Sequence, residues 1–85
     1  MSIEKEVVIG EVEKNSREKI VVRFTEFNNL NLIDIRVHAK TRLEEYVPTR
    51  KGLTFQIPLL QMLMPILREA EVLISKESMK MEQTQ

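Results

Sequence analysis

Apolar and polar positions alternate over the first two thirds of the chain and then give way to a run that is apolar almost throughout. From Lys19 to Phe27, Ile20, Val22 and Phe24 share one face, while Val21, Arg23, Thr25 and Phe27 share the other. From Leu30 to His38, Ile33, Ile35 and Val37 oppose Asp34, Arg36 and His38 in the same way. A repeat of two belongs to a strand with one covered and one wet face, as in an antiparallel sheet. Asn28-Asn29 separates the two runs, and asparagine accepts the positive φ of a tight hairpin. Upstream, Val7-Val8-Ile9 predicts a short first strand with Gly10 at a bulge or bend, and Asn15-Ser16 marks a turn within polar residues 13–18. Residues 39–45 are charged and aperiodic, which predicts a loop or a frayed strand end. Tyr46-Val47 resumes extended character, and Pro48 and Gly52 bracket Thr49-Arg50-Lys51 in what reads as an edge or bulged strand. Leu53, Phe55 and Ile57 then point inward, with Thr54 and Gln56 outward.

Pro58 suits the first turn of a helix, where its missing N–H costs nothing. The helix is expected from about 58 to 74. Leu59, Leu60, Met62, Leu63, Met64, Ile66 and Leu67 cover more of its circumference than the roughly 100° stripe that packing on one sheet requires. The excess implies a second partner, most simply the same helix of another copy, with Leu59, Leu60, Met62, Leu63, Ile66 and Leu67 at the interface. The alternative is a monomer whose sheet curls around the helix. Pro65 removes a backbone hydrogen bond and clashes with the carbonyl of Gln61, so a kink or break is expected there. Residues 75–85 are polar and read as a disordered tail, leaving one domain over 1–74.

Composition narrows the function more than the fold. Eighty-five residues, 42% hydrophobic and 31% charged, describe one soluble domain with a small core. No segment has the roughly 18 continuous apolar residues of a membrane span, and the N-terminus lacks a secretory pattern. With no cysteine there is no disulfide framework and no thiolate metal site, and a cytoplasmic setting is expected. The formal net charge is zero but unevenly spread: residues 1–16 carry −2, residues 17–51 carry +3 and residues 52–85 carry −1. The middle stretch alone is basic, and local sign governs which partners approach.

Catalysis finds little support. His38 is the single histidine, so no histidine pair is available to a metal, and two glycines build no phosphate-cradling loop. An acid–base pair of His38 with Glu44 or Glu45 is better read as a solvated strand end. No enzyme activity, cofactor or metal is expected. The wet face is more informative, because alternation gathers Arg23, Phe27, Arg36 and His38 there, with Arg50, Lys51 and Tyr46 entering from the last strand. Cations interleaved with flat rings suit a single-stranded nucleic acid, with charge following phosphates and rings stacking bases. The competing reading is an ordinary salt-bridged surface, with Arg23 and Arg36 paired to Glu26 and Asp34 and Phe27 capping the core edge.

Leu32-Ile33-Asp34-Ile35-Arg36, then Pro48-Thr49-Arg50-Lys51-Gly52-Leu53-Thr54, then Pro58 opening a helix, resembles the positive-cofactor-four family of transcriptional coactivators. The likeness runs from about residue 6 to about residue 71. It implies an α+β fold, a curved four-stranded antiparallel sheet followed by one C-terminal helix, dimerised through the helices. It also implies grooves for single-stranded DNA, with Arg36, Arg50 and Lys51 as phosphate contacts and Phe27 as a stacking ring. Arg23, His38 and Tyr46 are added from face assignment alone. The chain departs from the family pattern where an aromatic pair ending in tryptophan is expected, since His38 and Ala39 stand there. It departs again in Asn28, Asn29 and Asn31, where the family is lysine-rich. The expected function is a non-enzymatic homodimer that binds single-stranded DNA without sequence preference, in transcription or the handling of opened DNA, with the transcription machinery as a further partner. The alternatives are a dimeric protein-interaction module with little nucleic-acid affinity and a single-stranded RNA binder.

Overall fold

A computed structural model describes residues 5–83, with side chains through Glu77. Strands β1 (Lys5–Asn15), β2 (Glu18–Phe27), β3 (Leu30–Lys40) and β4 (Tyr46–Gln56) form an antiparallel meander in that order, and helix α1 (Ile57–Gln83) follows directly. Asn28 and Asn29 both adopt positive φ, 51° and 63°, the conformation of a two-residue hairpin turn that matches strand twist. The β1–β2 turn is closed by Asn15, whose Oδ1 accepts from the Arg17 amide at 2.9 Å.

Register places Ile20, Val22 and Phe24 opposite Val37, Ile35 and Ile33, with Leu53 and Phe55 beyond them on β4. That is the apolar face. The other face sets Lys19, Val21, Arg23 and Thr25 opposite His38, Arg36, Asp34 and Leu32. The alternation read from β2 and β3 therefore holds residue for residue. The first strand is longer than Val7–Ile9: it runs eleven residues, and its register shifts between Val8 and Gly10.

The helix expected to close near residue 74 continues to Gln83, so residues 75–83 of the expected tail are helical; 84 and 85 lie outside the described residues. No glycine or proline follows Pro65, and Lys, Glu, Met and Gln all propagate helix well. The helix also passes through Pro65 without the expected break. One lost hydrogen bond interrupts a short helix more easily than one of 27 residues.

The helix leaves most of the apolar surface open. Among the described residues, Val21 and Ile33 are the buried apolar side chains, while Leu59, Met62, Ile66, Leu67, Leu73 and Ile74 on α1 are exposed. The Cα radius of gyration is 16.4 Å, against about 12 Å for a compact chain of this length. One chain does not enclose a core of its own. Among the described residues, no helix is long and apolar enough to cross a membrane.

Candidate nucleic-acid interface

The polar face is organised by Asp34, in the middle of β3 and only 3% exposed. Its Oδ2 accepts from Arg23 Nη2 at 2.7 Å and Nε at 3.2 Å; its Oδ1 accepts from Arg36 Nη2 at 2.9 Å and Nε at 3.1 Å. The Thr54 hydroxyl donates to Oδ1 at 2.6 Å. Burial by itself would favour the neutral acid, but the hydrogen bonds from Arg36, Thr54 and Arg23 outweigh it and lower the carboxyl to about 2. Asp34 is thus an anion that fixes two guanidinium groups across adjacent strands. Arg23 carries on to Glu6, with Nη1 at 2.6 Å from Oε1, and its own pKa is raised, foremost by the hydrogen bond to Asp34.

Arg36 also reaches sideways, its Nη1 donating to the Thr49 carbonyl at 2.9 Å. That carbonyl belongs to a bulge in β4. Arg36 pairs with Gly52 and His38 with Pro48, so Thr49, Arg50 and Lys51 together oppose Val37. The Thr49 hydroxyl donates to the Val37 carbonyl at 2.7 Å and accepts from the Lys51 amide at 3.2 Å, closing the bulge on itself. Pro48 supplies no N–H to the ladder, which suits an edge strand. Arg50 and Lys51 are consequently exposed, and among the described residues neither side chain enters a salt bridge or hydrogen bond.

Beside the Arg23–Asp34–Arg36 cluster, Phe27, Leu32 and Thr25 line a shallow hollow of about 270 Å³. Its lining is a ring and an aliphatic side chain next to two guanidinium groups, which matches the needs of a stacked base and its phosphate. Tyr46 lies at the other end of the face, paired with Lys40, eight β3 residues from Leu32 and so roughly 25 Å away. Its ring is already covered by Lys19, whose Nζ is 4.3 Å from the centroid.

Of the residues expected to bind, the structure brings Arg23, Phe27 and Arg36 together around one hollow and sets Arg50 and Lys51 on the bulge of the neighbouring edge. Tyr46 is separate from them. His38 shares the polar face but is only 9% exposed, its Nε2 is buried without a partner, and its pKa is lowered, first by burial and then by Arg23. It is a neutral group beneath the surface. The pairing of Arg36 and Arg23 with Asp34, one half of the salt-bridged reading, is also present.

Sequence reasoning missed Thr49 and Thr54 as the groups that hold Arg36, although the outward position of Thr54 was visible in the alternation. It also missed Glu6 and Glu11, which pair with Arg23 and Lys19. The odd spacing of those glutamates would put them on opposite faces of a regular strand. The shift after Val8 returns them to one face, with Glu6 opposite Thr25 and Glu11 opposite Val21.

Known proteins share this fold. A PC4 homologue from Burkholderia pseudomallei K96243 superposes with a TM-score of 0.73 at 22% identity, covering 84% of this chain and 96% of the homologue. A second crystal form of it gives 0.72 at 24% identity over 79% and 98%. The bacteriophage T5 homologue of the eukaryotic transcription coactivator PC4, implicated in recombination-dependent DNA replication, gives 0.54 at 21% identity over 95% and 96%. No curated protein matches the chain. The family model for Transcriptional Coactivator p15 (PC4) matches residues 14–66, from the end of β1 into α1 and so across the β2–β3 hairpin, the β4 bulge and the proline-started helix. The chain belongs to the PC4 family of transcriptional coactivators.

Proposed function

We propose that this protein is a non-enzymatic, cytoplasmic homodimer that binds single-stranded DNA with little sequence preference, in transcription or in the handling of opened DNA. The observation that carries the reading is the hollow that sets the Phe27 ring beside the Arg23 and Arg36 guanidinium groups, with the exposed cations Arg50 and Lys51 on the β4 bulge next to Arg36. The cations follow phosphates, and Phe27 stacks a base for about 1–3 kcal/mol. Nothing in this chemistry reads base edges, and α1 is too apolar to lie in a major groove.

Dimerisation through α1 follows from the open apolar surface. Leu59, Met62, Ile66 and Leu73 form an exposed stripe, while Leu60 and Leu63 are half-buried toward the sheet. Pairing two stripes supplies the core that one chain lacks. The role of the T5 relative in DNA replication is consistent with work on opened strands.

A second reading, a protein-interaction module, is favoured by the neutral chain and by the acidic partners already placed on Arg23 and Lys19. Competition against a labelled oligothymidylate separates the readings. Single-stranded DNA displaces the label far better than matched duplex on the leading account, and equal displacement by RNA would extend the substrate to both. Failure to bind the label at low salt would leave the interaction module.

A further inference from the structure

The polar face has two unlike halves. On the β3–β4 side stands Arg36, held by Asp34, the Thr49 carbonyl and Thr54. On the β1–β2 side each cation of β2 is met by a glutamate of β1: Arg23 Nη1 lies 2.6 Å from Glu6 Oε1, and Lys19 Nζ lies 3.0 Å from the Glu11 carboxylate. Glu13 stands opposite Lys19 in the register and extends the acidic row. The row exists because the β1 register shifts between Val8 and Gly10, which brings Glu6, Glu11 and Glu13 to the same face.

We infer that β1 is an acidic wall whose Glu6 and Glu11 compete with nucleic-acid phosphates for Arg23 and Lys19, weakening the hold of these two cations on a bound strand and setting the salt range of binding. The glutamate side chains are 40% and 51% exposed, whereas Arg23 and Lys19 are 16% and 21% exposed. The carboxylates therefore sit at the rim, where a phosphate is able to displace them. Exposed pairs of this kind are weak, so displacement reduces affinity by a factor of about five per pair at most rather than abolishing it. Arg23 keeps Asp34 as a partner when Glu6 leaves, and so remains in place to receive the phosphate. Lys19 keeps its position over the Tyr46 ring.

The inference rests on the single-strand reading above, and the test separates the two. Binding of a labelled oligothymidylate is measured over a salt series for the wild type, for Glu6→Gln with Glu11→Gln, and for a control of equal charge change, Glu71→Gln with Glu77→Gln on the exposed helix. The β1 variant is expected to bind about tenfold tighter at low salt. Its slope of log K against log salt should steepen by about 1.4, or 0.7 for each cation released to a phosphate. The helix control should stay near the wild type. Equal shifts in both variants, or none in either while the wild type binds, would overturn the acidic wall and leave the single-strand reading standing. Absence of binding by all three proteins at low salt would overturn both.

Discussion

A Cβ built on Gly52 would lie 2.5 Å from the backbone carbonyl oxygen of Ile35. The same atom would be 2.9 Å from Arg36 Cα, so backbone rather than a movable side chain closes the space. Gly52 is where β4 returns to register after its bulge, and only a residue without a side chain lets it approach β3 this closely. Gly52→Ala is therefore expected to destabilise the fold by about 1–3 kcal/mol. Urea denaturation measures this directly, as a lower midpoint with an unchanged slope.

Asp34 holds two arginines, and its removal leaves both without their anion. Asp34→Asn should cost about 3 kcal/mol, the order seen when one member of a buried ion pair is lost. The wild type should also show an acid limb. With a folded pKa of about 2 below the ordinary 3.8, Asp34 contributes stability that is complete above about pH 4 and lost as pH falls toward 2. The contribution is on the order of 2 kcal/mol. Denaturation midpoints between pH 5 and 2 should fall in the wild type and stay flatter in Asp34→Asn.

His38 acts in a different window. Its folded pKa lies below the usual 6.5, foremost because it is buried, so the neutral ring stabilises the fold above about pH 6.5. That contribution is lost as pH drops through the lower folded value. Lys19 stands opposite His38 in the register, and Arg23 and Arg36 add to the repulsion of an imidazolium while Asp34 opposes it. His38→Phe should flatten the fall in melting temperature that the wild type shows as pH drops below about 6.5.

The β2–β3 hairpin was legible in the sequence because one face is apolar and the other polar over both strands, so a slip of one residue would have inverted both. The Pro48–Gly52 bracket likewise announced an irregular edge strand. The β1 shift after Val8 was not legible as a change of face, since a bulge is set by the strand it pairs with, and Val8-Ile9 reads the same in either register. The full length of α1 is not legible from polarity, since residues 75–83 turn polar without any residue that stops a helix. His38 was placed on the correct face but at the wrong depth: alternation gives direction, while Lys19 and Pro48 in the register decide cover.

The exposed stripe on α1 leads to a prediction about assembly. Ile66 is 61% exposed in one chain, and in the proposed dimer it lies within the interface. Ile66→Glu should convert a sedimenting species of two chains to one and lower the melting temperature. Sedimentation velocity of wild type and variant decides this, and a wild type that sediments as one chain would contradict the proposed dimer.

The most direct test concerns Arg50 and Lys51, the exposed cations of the β4 bulge. Fluorescence anisotropy of a labelled single-stranded oligonucleotide, with matched duplex as competitor, is measured across a salt series for the wild type and for Arg50→Ala with Lys51→Ala. Tighter binding of the single strand is predicted, with a salt slope that falls by about 1.4 in the variant as two phosphate contacts are lost. The denaturation midpoint should not move, since neither side chain packs. An unchanged slope, or a duplex that competes as well as the single strand, would contradict the proposed function.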